Sequence, residues 1–137
     1  MKLRAVLVVT LVLSASYALA ANYIEPEELK QAFQQKQDLI IVDIQPAPEF
    51  EQHHFAGSIE TNAFPAKTYE EKKRLDKALP VIQASKALVI VVCPRGKSGA
   101  KNSYDYLVSQ GVSEERMQIL GDGMGGWPFK EFLKQGP

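Results

Sequence analysis

Cys93 is the only cysteine in this chain of 137 residues, and Pro94-Arg95-Gly96-Lys97-Ser98 follow it directly. A thiol acts as a nucleophile in its thiolate form, which nearby cations and helix N-termini favour. Both are predicted here. Arg95 and Lys97 lie two and four residues on, and an unbroken helical pattern begins after Gly99. Gly96 permits a backbone turn that other residues resist. A loop that curls around the sulfur gathers successive N–H groups into an anion nest. Such a nest holds a thiolate, a persulfide or a bound oxyanion.

Three chemistries use a cradle of this kind. A tyrosine-phosphatase-like loop places an arginine six residues after its cysteine, forked onto the phosphate; here that position is Gly99. A disulfide oxidoreductase pairs its cysteine with a second one three residues on; here that position is Gly96. Sulfur-atom transfer requires one cysteine, a ring of N–H donors and cations for an anionic sulfur donor, and the loop meets all three demands. The Ser98 hydroxyl either bonds the sulfur or caps the helix.

The elements around the loop follow from periodicity. Ala87 to Val92 is an uninterrupted apolar run rich in β-branched residues, the pattern of a strand buried on both faces. Leu39 to Ile44 repeats it and carries Asp43 near its end. A carboxylate there accepts backbone hydrogen bonds and orders the next loop, or faces a ligand. Helices are expected over Tyr23–Gln35, with Pro26 in the first turn, and from a Thr68/Glu71 capping box to Leu79, where Pro80 stops or kinks the helix. Others are expected after Gly99, ending before Gly111, and over Trp127–Lys134. Glu49–Gln52 forms one helical turn behind Pro48, and short strands are expected within Gly57–Thr61 and over Met117–Leu120. The Gly121–Gly126 segment lacks the context of a nucleotide-binding loop and is expected to be a tight, close-packed turn. His53-His54 does not make a metal site, because adjacent side chains point different ways and no further histidine or cysteine is available. Strands alternating with helices predict an α/β fold: a mostly parallel five-stranded sheet covered by helices on both faces, with Asp43 and Cys93 at the C-terminal strand ends.

Residues 1–20 have the pattern of a secretory signal peptide. Lys2 and Arg4 precede an apolar stretch, and Ala18-Leu19-Ala20 suits cleavage before Ala21. The apolar stretch, about fifteen residues, is short of the roughly 20 that span a bilayer. Residues 21–137 then form a single domain, exported and most simply periplasmic. Sixteen basic and sixteen acidic residues balance over the whole chain. Loss of Lys2 and Arg4 leaves a formal charge of about −2, which favours neither nucleic acid nor a membrane surface. Exported proteins commonly use cysteines in pairs, so an unpaired Cys93 is an inert thiol, an intermolecular linker or a reactive thiol. Its loop favours the last.

Taken together, these residues resemble the rhodanese (thiosulfate sulfurtransferase) family in its small, exported, single-domain form. Cys93-Pro94-Arg95-Gly96-Lys97-Ser98 is similar to the family's six-residue active loop, C-x-x-G-x-[ST]. Asp43, Glu49-Phe50, His54 and Gly57-Ser58-Ile59 resemble its upstream signature. Leu120–Gly123 and Gly125-Gly126-Trp127 resemble its closing segment. The resemblance implies a rhodanese-like fold and a double displacement through a Cys93 persulfide, with no cofactor and no metal. By it, Arg95, Gly96, Lys97 and Ser98 bind the donor, and Asp43 and His54 support the site. The partners implied are a small anionic sulfur donor such as thiosulfate and a thiophilic acceptor such as cyanide or a thiol; a protein acceptor is not specified. A non-catalytic sulfur carrier is the alternative, and a phosphatase or arsenate-type enzyme a weaker third. Three positions depart from the pattern: Gln45 replaces a frequent arginine, His53 replaces a glycine, and Pro94 brings no N–H to the cradle.

Overall fold

The computed structural model describes residues 20–137, so the expected signal peptide lies almost wholly outside the described residues. In chain order the elements are β1 (Tyr23–Ile24), α1 (Pro26–Gln34), β2 (Leu39–Asp43), α2 (Ala47–Gln52), β3 (His54–Phe55) and β4 (Ile59–Glu60). They are followed by α3 (Tyr69–Lys73), α4 (Leu79–Gln83), β5 (Leu88–Val92), α5 (Ser98–Ser109), β6 (Met117–Leu120) and β7 (Leu133–Lys134). Five strands form one parallel sheet in the order β1-β6-β5-β2-β4. The two long apolar runs, β2 and β5, lie side by side in its centre, paired from Leu39–Leu88 to Asp43–Val92.

Alternation along β5 divides the core. Val89, Val91 and Cys93 face one layer, packed with Leu75, Ile82, Ala100, Tyr104 and Leu107 from α4, α5 and the segment before α4. Ile90 and Val92 face the other, packed with Leu29 of α1 and with Phe55, Met124 and Trp127. The second layer is held by aromatic rings. Trp127 meets Phe55 edge-on at 4.8 Å between centroids, and Phe33 lies 5.1 Å from Phe55 and 5.7 Å from Phe132.

Four expectations need correction. The last helix does not form: Pro128 interrupts it, leaving a single 3-10 turn at Lys130–Phe132, and Leu133–Lys134 instead pairs antiparallel with His54–Phe55. Strand β3 was not expected, because two residues carry no periodic signal. At the N-terminus, Tyr23–Ile24 joins the sheet edge beside β6 and α1 starts at Pro26, where the missing N–H costs nothing. The Thr68/Glu71 capping box is present, but the helix behind it tightens into a 3-10 segment, Arg74–Ala78. Pro80 then lies in the first turn of α4 and does not end a helix.

Candidate active site

The site is built on the C-terminal end of β5. The Ile44 N–H donates to the Val92 carbonyl at 2.9 Å, tying the two central strands together at the point where the chain leaves the sheet. Cys93 is the next residue and is 2% exposed. Five residues later α5 begins, and between them the loop turns back so that the Gly96 N–H points at Cys93 Sγ, 2.8 Å away. Beside the sulfur is a cavity of about 170 Å³ lined by Phe64, Cys93, Arg95, Lys97, Ser98 and Gly99. Arg95 and Lys97 are exposed at its mouth, and no carboxylate lines it. A convergent N–H, two cations and the N-terminus of a twelve-residue helix bring positive potential to the buried sulfur.

A second loop holds the first in place. The Met124 N–H donates to the Cys93 carbonyl at 2.8 Å and the Gly125 N–H to the Pro94 carbonyl at 2.9 Å. The contact is backbone on backbone. A Cβ at Gly123 would stand 2.3 Å from Cys93 O, and one at Gly96 would stand 2.8 Å from Asp122 N, Gly123 N and Leu120 O. The close-packed turn expected over Gly121–Gly126 is therefore the platform under the cysteine loop.

The structure brings Cys93, Arg95, Lys97 and Ser98 around one cavity, with Gly96 beneath them. Ser98 is the first residue of α5, and the cap position falls to Lys97, whose side chain makes no capping bond. Of the two alternatives for the Ser98 hydroxyl, capping is therefore not realised. Phe64 and Gly99 were not singled out as lining. Phe64 is positioned by its N–H donating to the Ile44 carbonyl at 2.9 Å, a contact between distant segments that no local pattern encodes.

Asp43 and His54 stand outside the cavity. Asp43 Oδ1 accepts from the Gln45 N–H at 2.8 Å and its Oδ2 from Gln45 Nε2 at 3.0 Å. Gln45 Nε2 also donates to the His53 carbonyl at 3.2 Å, so one buried amide spans the start and end of the α2 segment. An arginine at this position would supply a full charge; Gln45 supplies only dipoles. Burial therefore prevails and pushes the Asp43 carboxyl up to about 6, against the opposing hydrogen bonds from Gln45. His54 Nδ1 lies 2.9 Å from the Phe50 carbonyl, and its ring stacks on Phe50 at 4.0 Å. Both residues brace the segment behind the site. No cluster of three metal-ligating side chains occurs among the described residues.

The model of the rhodanese-like domain family matches residues 25–129. The chain belongs to that family. Solved rhodanese-fold structures superpose on it closely despite low identity. A yeast protein tyrosine phosphatase of the rhodanese family gives a TM-score of 0.64 at 14% identity, over 85% of this chain and 94% of that one. The As-Sb reductase of Leishmania major gives 0.65 at 16% identity, over 86% and 89%. Thiosulfate sulfurtransferase from Pseudomonas aeruginosa gives 0.62 at 18% identity over 85% of this chain, which corresponds to only 21% of that larger chain. Comparison with curated proteins finds no match. At these identities the neighbours share the rhodanese-like α/β fold, and they perform different chemistries on it. No helix among the described residues is long and apolar enough to cross a membrane.

Proposed function

We propose that this rhodanese-like domain is a sulfurtransferase that carries a sulfane sulfur on Cys93. The observation that carries the reading is the Gly96 N–H aimed at Cys93 Sγ at 2.8 Å, inside a small cavity with Arg95 and Lys97 at its mouth. The Cys93 thiolate attacks the outer sulfur of thiosulfate, a new S–S bond forms, and sulfite leaves with the electrons of the old one. The terminal persulfide sulfur is then attacked by a thiophile such as cyanide or a thiolate, which takes that sulfur away and leaves the Cys93 thiolate. No net oxidation of the protein occurs and no cofactor enters.

The size of the cavity supports a small donor. About 170 Å³ is below the roughly 300 Å³ at which drug-sized ligand sites begin. Position 99 argues against phosphoryl chemistry. A Cβ at Gly99 would already lie 2.9 Å from the Phe64 ring, so the phosphate-forking arginine has neither a residue nor a space.

Intact-protein mass spectrometry after exposure to thiosulfate tests the reading. A gain of one sulfur atom, lost on adding cyanide and absent in Cys93→Ser, is expected. Full turnover by Cys93→Ser would overturn it. A stable adduct with negligible turnover would move the protein to the sulfur-carrier alternative, and hydrolysis of an aryl phosphate would move it to the phosphatase one. Export to the periplasm, with cleavage before Ala21, is part of the proposal. N-terminal sequencing of protein from the periplasmic fraction checks it.

A further inference from the structure

A second cavity of about 690 Å³ is lined in part by Met124 and Gly125 of the glycine-rich loop. Its volume falls in the range of small-molecule sites, roughly 300–1,000 Å³. Met124, Trp127 and Leu133 supply apolar surface, and Lys130, Lys134 and His53 supply basic groups. No carboxylate lines it. Neither lysine has a carboxylate within salt-bridge distance among the described residues, and both are exposed. The Trp127 indole N–H is already committed to the Phe129 carbonyl at 2.8 Å, so the ring offers the cavity only its apolar body. None of these residues lines the Cys93 cavity.

We propose that this cavity is a binding site for a small soluble amphipathic anion, an apolar body of a few carbons or an aryl ring carrying one carboxylate or sulfonate. The apolar body lies on Met124, Trp127 and Leu133, and the anionic end meets Lys130 and Lys134. The pairing is one of charge complementarity. Two unpaired ammonium groups beside an apolar wall leave a positive potential that a neutral hydrocarbon does not satisfy and a bare anion cannot fill. The occupant rests on the loop whose Met124 and Gly125 N–H groups hold the Cys93 and Pro94 carbonyls.

Trp127 is the only tryptophan in the chain, so the emission comes from a ring that lines this cavity, and calorimetry gives a second readout independent of the core around that ring. The experiment is a titration of the purified protein with octanoate below its micellar range, followed by Trp127 emission and by isothermal calorimetry. Octan-1-ol and acetate serve as the apolar and anionic halves of the probe. A saturable response to octanoate, at least tenfold tighter than to either half, is expected. The double variant Lys130→Glu/Lys134→Glu should weaken octanoate at least tenfold while keeping the wild-type far-ultraviolet circular dichroism. The proposal fails if octanoate gives no saturable signal by either method, if octan-1-ol binds as tightly, or if the double variant binds octanoate unchanged. Neither readout involves Cys93, so the outcome is independent of the sulfur-transfer reading.

Discussion

Replacing Gly123 by alanine should disable the cysteine loop without altering any side chain that meets the donor. Gly123 has φ +64° and ψ −163°, a region that only glycine visits readily. Forcing a side chain there costs on the order of 1–3 kcal/mol. The added Cβ would stand 2.3 Å from Cys93 O and 2.6 Å from Arg95 N and Gly96 N. Non-bonded heavy atoms settle at about 3.5 Å, so the two loops must part by roughly 1 Å. All three neighbours are backbone atoms, and none can rotate aside. Parting stretches the Met124–Cys93 and Gly125–Pro94 hydrogen bonds, 2.8 and 2.9 Å long, each worth about 1 kcal/mol. The total is about 3–5 kcal/mol, a large share of the 5–15 kcal/mol that holds a domain together but not all of it.

The functional effect should be disproportionate. The atom pushed is Gly96 N, whose hydrogen points at Cys93 Sγ, and a misplacement of about 1 Å at a reacting centre costs on the order of 100-fold. Gly111→Ala is the matched control. Gly111 also has a positive φ, +96°, but a Cβ there meets nothing within 4 Å. It should lose about 1–2 kcal/mol of stability and load sulfur at the wild-type rate. Urea unfolding gives the stabilities, and timed mass spectra after thiosulfate give the loading rates, both well below either melting temperature. If folded Gly123→Ala loads sulfur as fast as Gly111→Ala, the second loop does not position the cradle and the reasoning is wrong.

Three further outcomes follow from the same geometry. Arg95→Ala and Lys97→Ala, both exposed at the cavity mouth, should each raise KM for an anionic donor about fivefold, consistent with the ~1 kcal/mol ceiling of exposed charge contacts. The loss should shrink as salt is added, whereas a salt-independent loss would point to packing. Asp43, lifted by burial from 3.8 to about 6, takes up a proton more readily folded than unfolded. Its protonation therefore stabilises the fold fully below about pH 4, and that term, about 3 kcal/mol, is lost as pH rises through about 6. The stability advantage of the wild type over Asp43→Asn should fall by up to that amount between about pH 4 and pH 7, and a flat difference in urea titrations refutes the assignment. Tyr106→Phe removes the hydrogen bond from the Tyr106 hydroxyl to Asp76 Oδ1 at 2.6 Å and should lower the melting temperature by a few degrees.

The central strands and the cysteine loop are legible in the sequence because their signals are local. Leu39–Ile44 and Ala87–Val92 are runs that only a strand buried on both faces sustains, and a lone cysteine before Arg95, Gly96 and Lys97 marks its own loop. What could not be read is held by contacts between distant segments. Phe64 reaches the site through Ile44, and β7 exists because it finds β3 nearly eighty residues earlier. The 3-10 segment at Arg74–Ala78 buries Leu75 and Ala78, where the Thr68/Glu71 capping box pointed to one continuous helix. Gln45 was legible as a missing arginine, but the single side-chain hydrogen bond it gives Asp43 in place of an ion pair, and the raised Asp43, emerged only with the side chains in place.

Pro94 acquires a reason from the second loop. It brings no N–H to the ring around the sulfur, an apparent defect in a cradle made of N–H groups. The peptide that loses the hydrogen joins Cys93 to Pro94, and its carbonyl is the one held by Met124 at 2.8 Å. The next peptide carries the Pro94 carbonyl, held by Gly125 at 2.9 Å, and the Arg95 N–H. Because a trans peptide sets its N–H opposite its carbonyl, anchoring that oxygen on the platform turns the Arg95 N–H to the other side. Proline fixes φ between these two anchored carbonyls and removes a degree of freedom at the point where the chain leaves the strand. One donor is given up and the direction of the next is set. On the proposed sulfur transfer, a cradle that holds a thiolate and then a longer persulfide gains more from donors that keep their direction than from one more donor free to turn away.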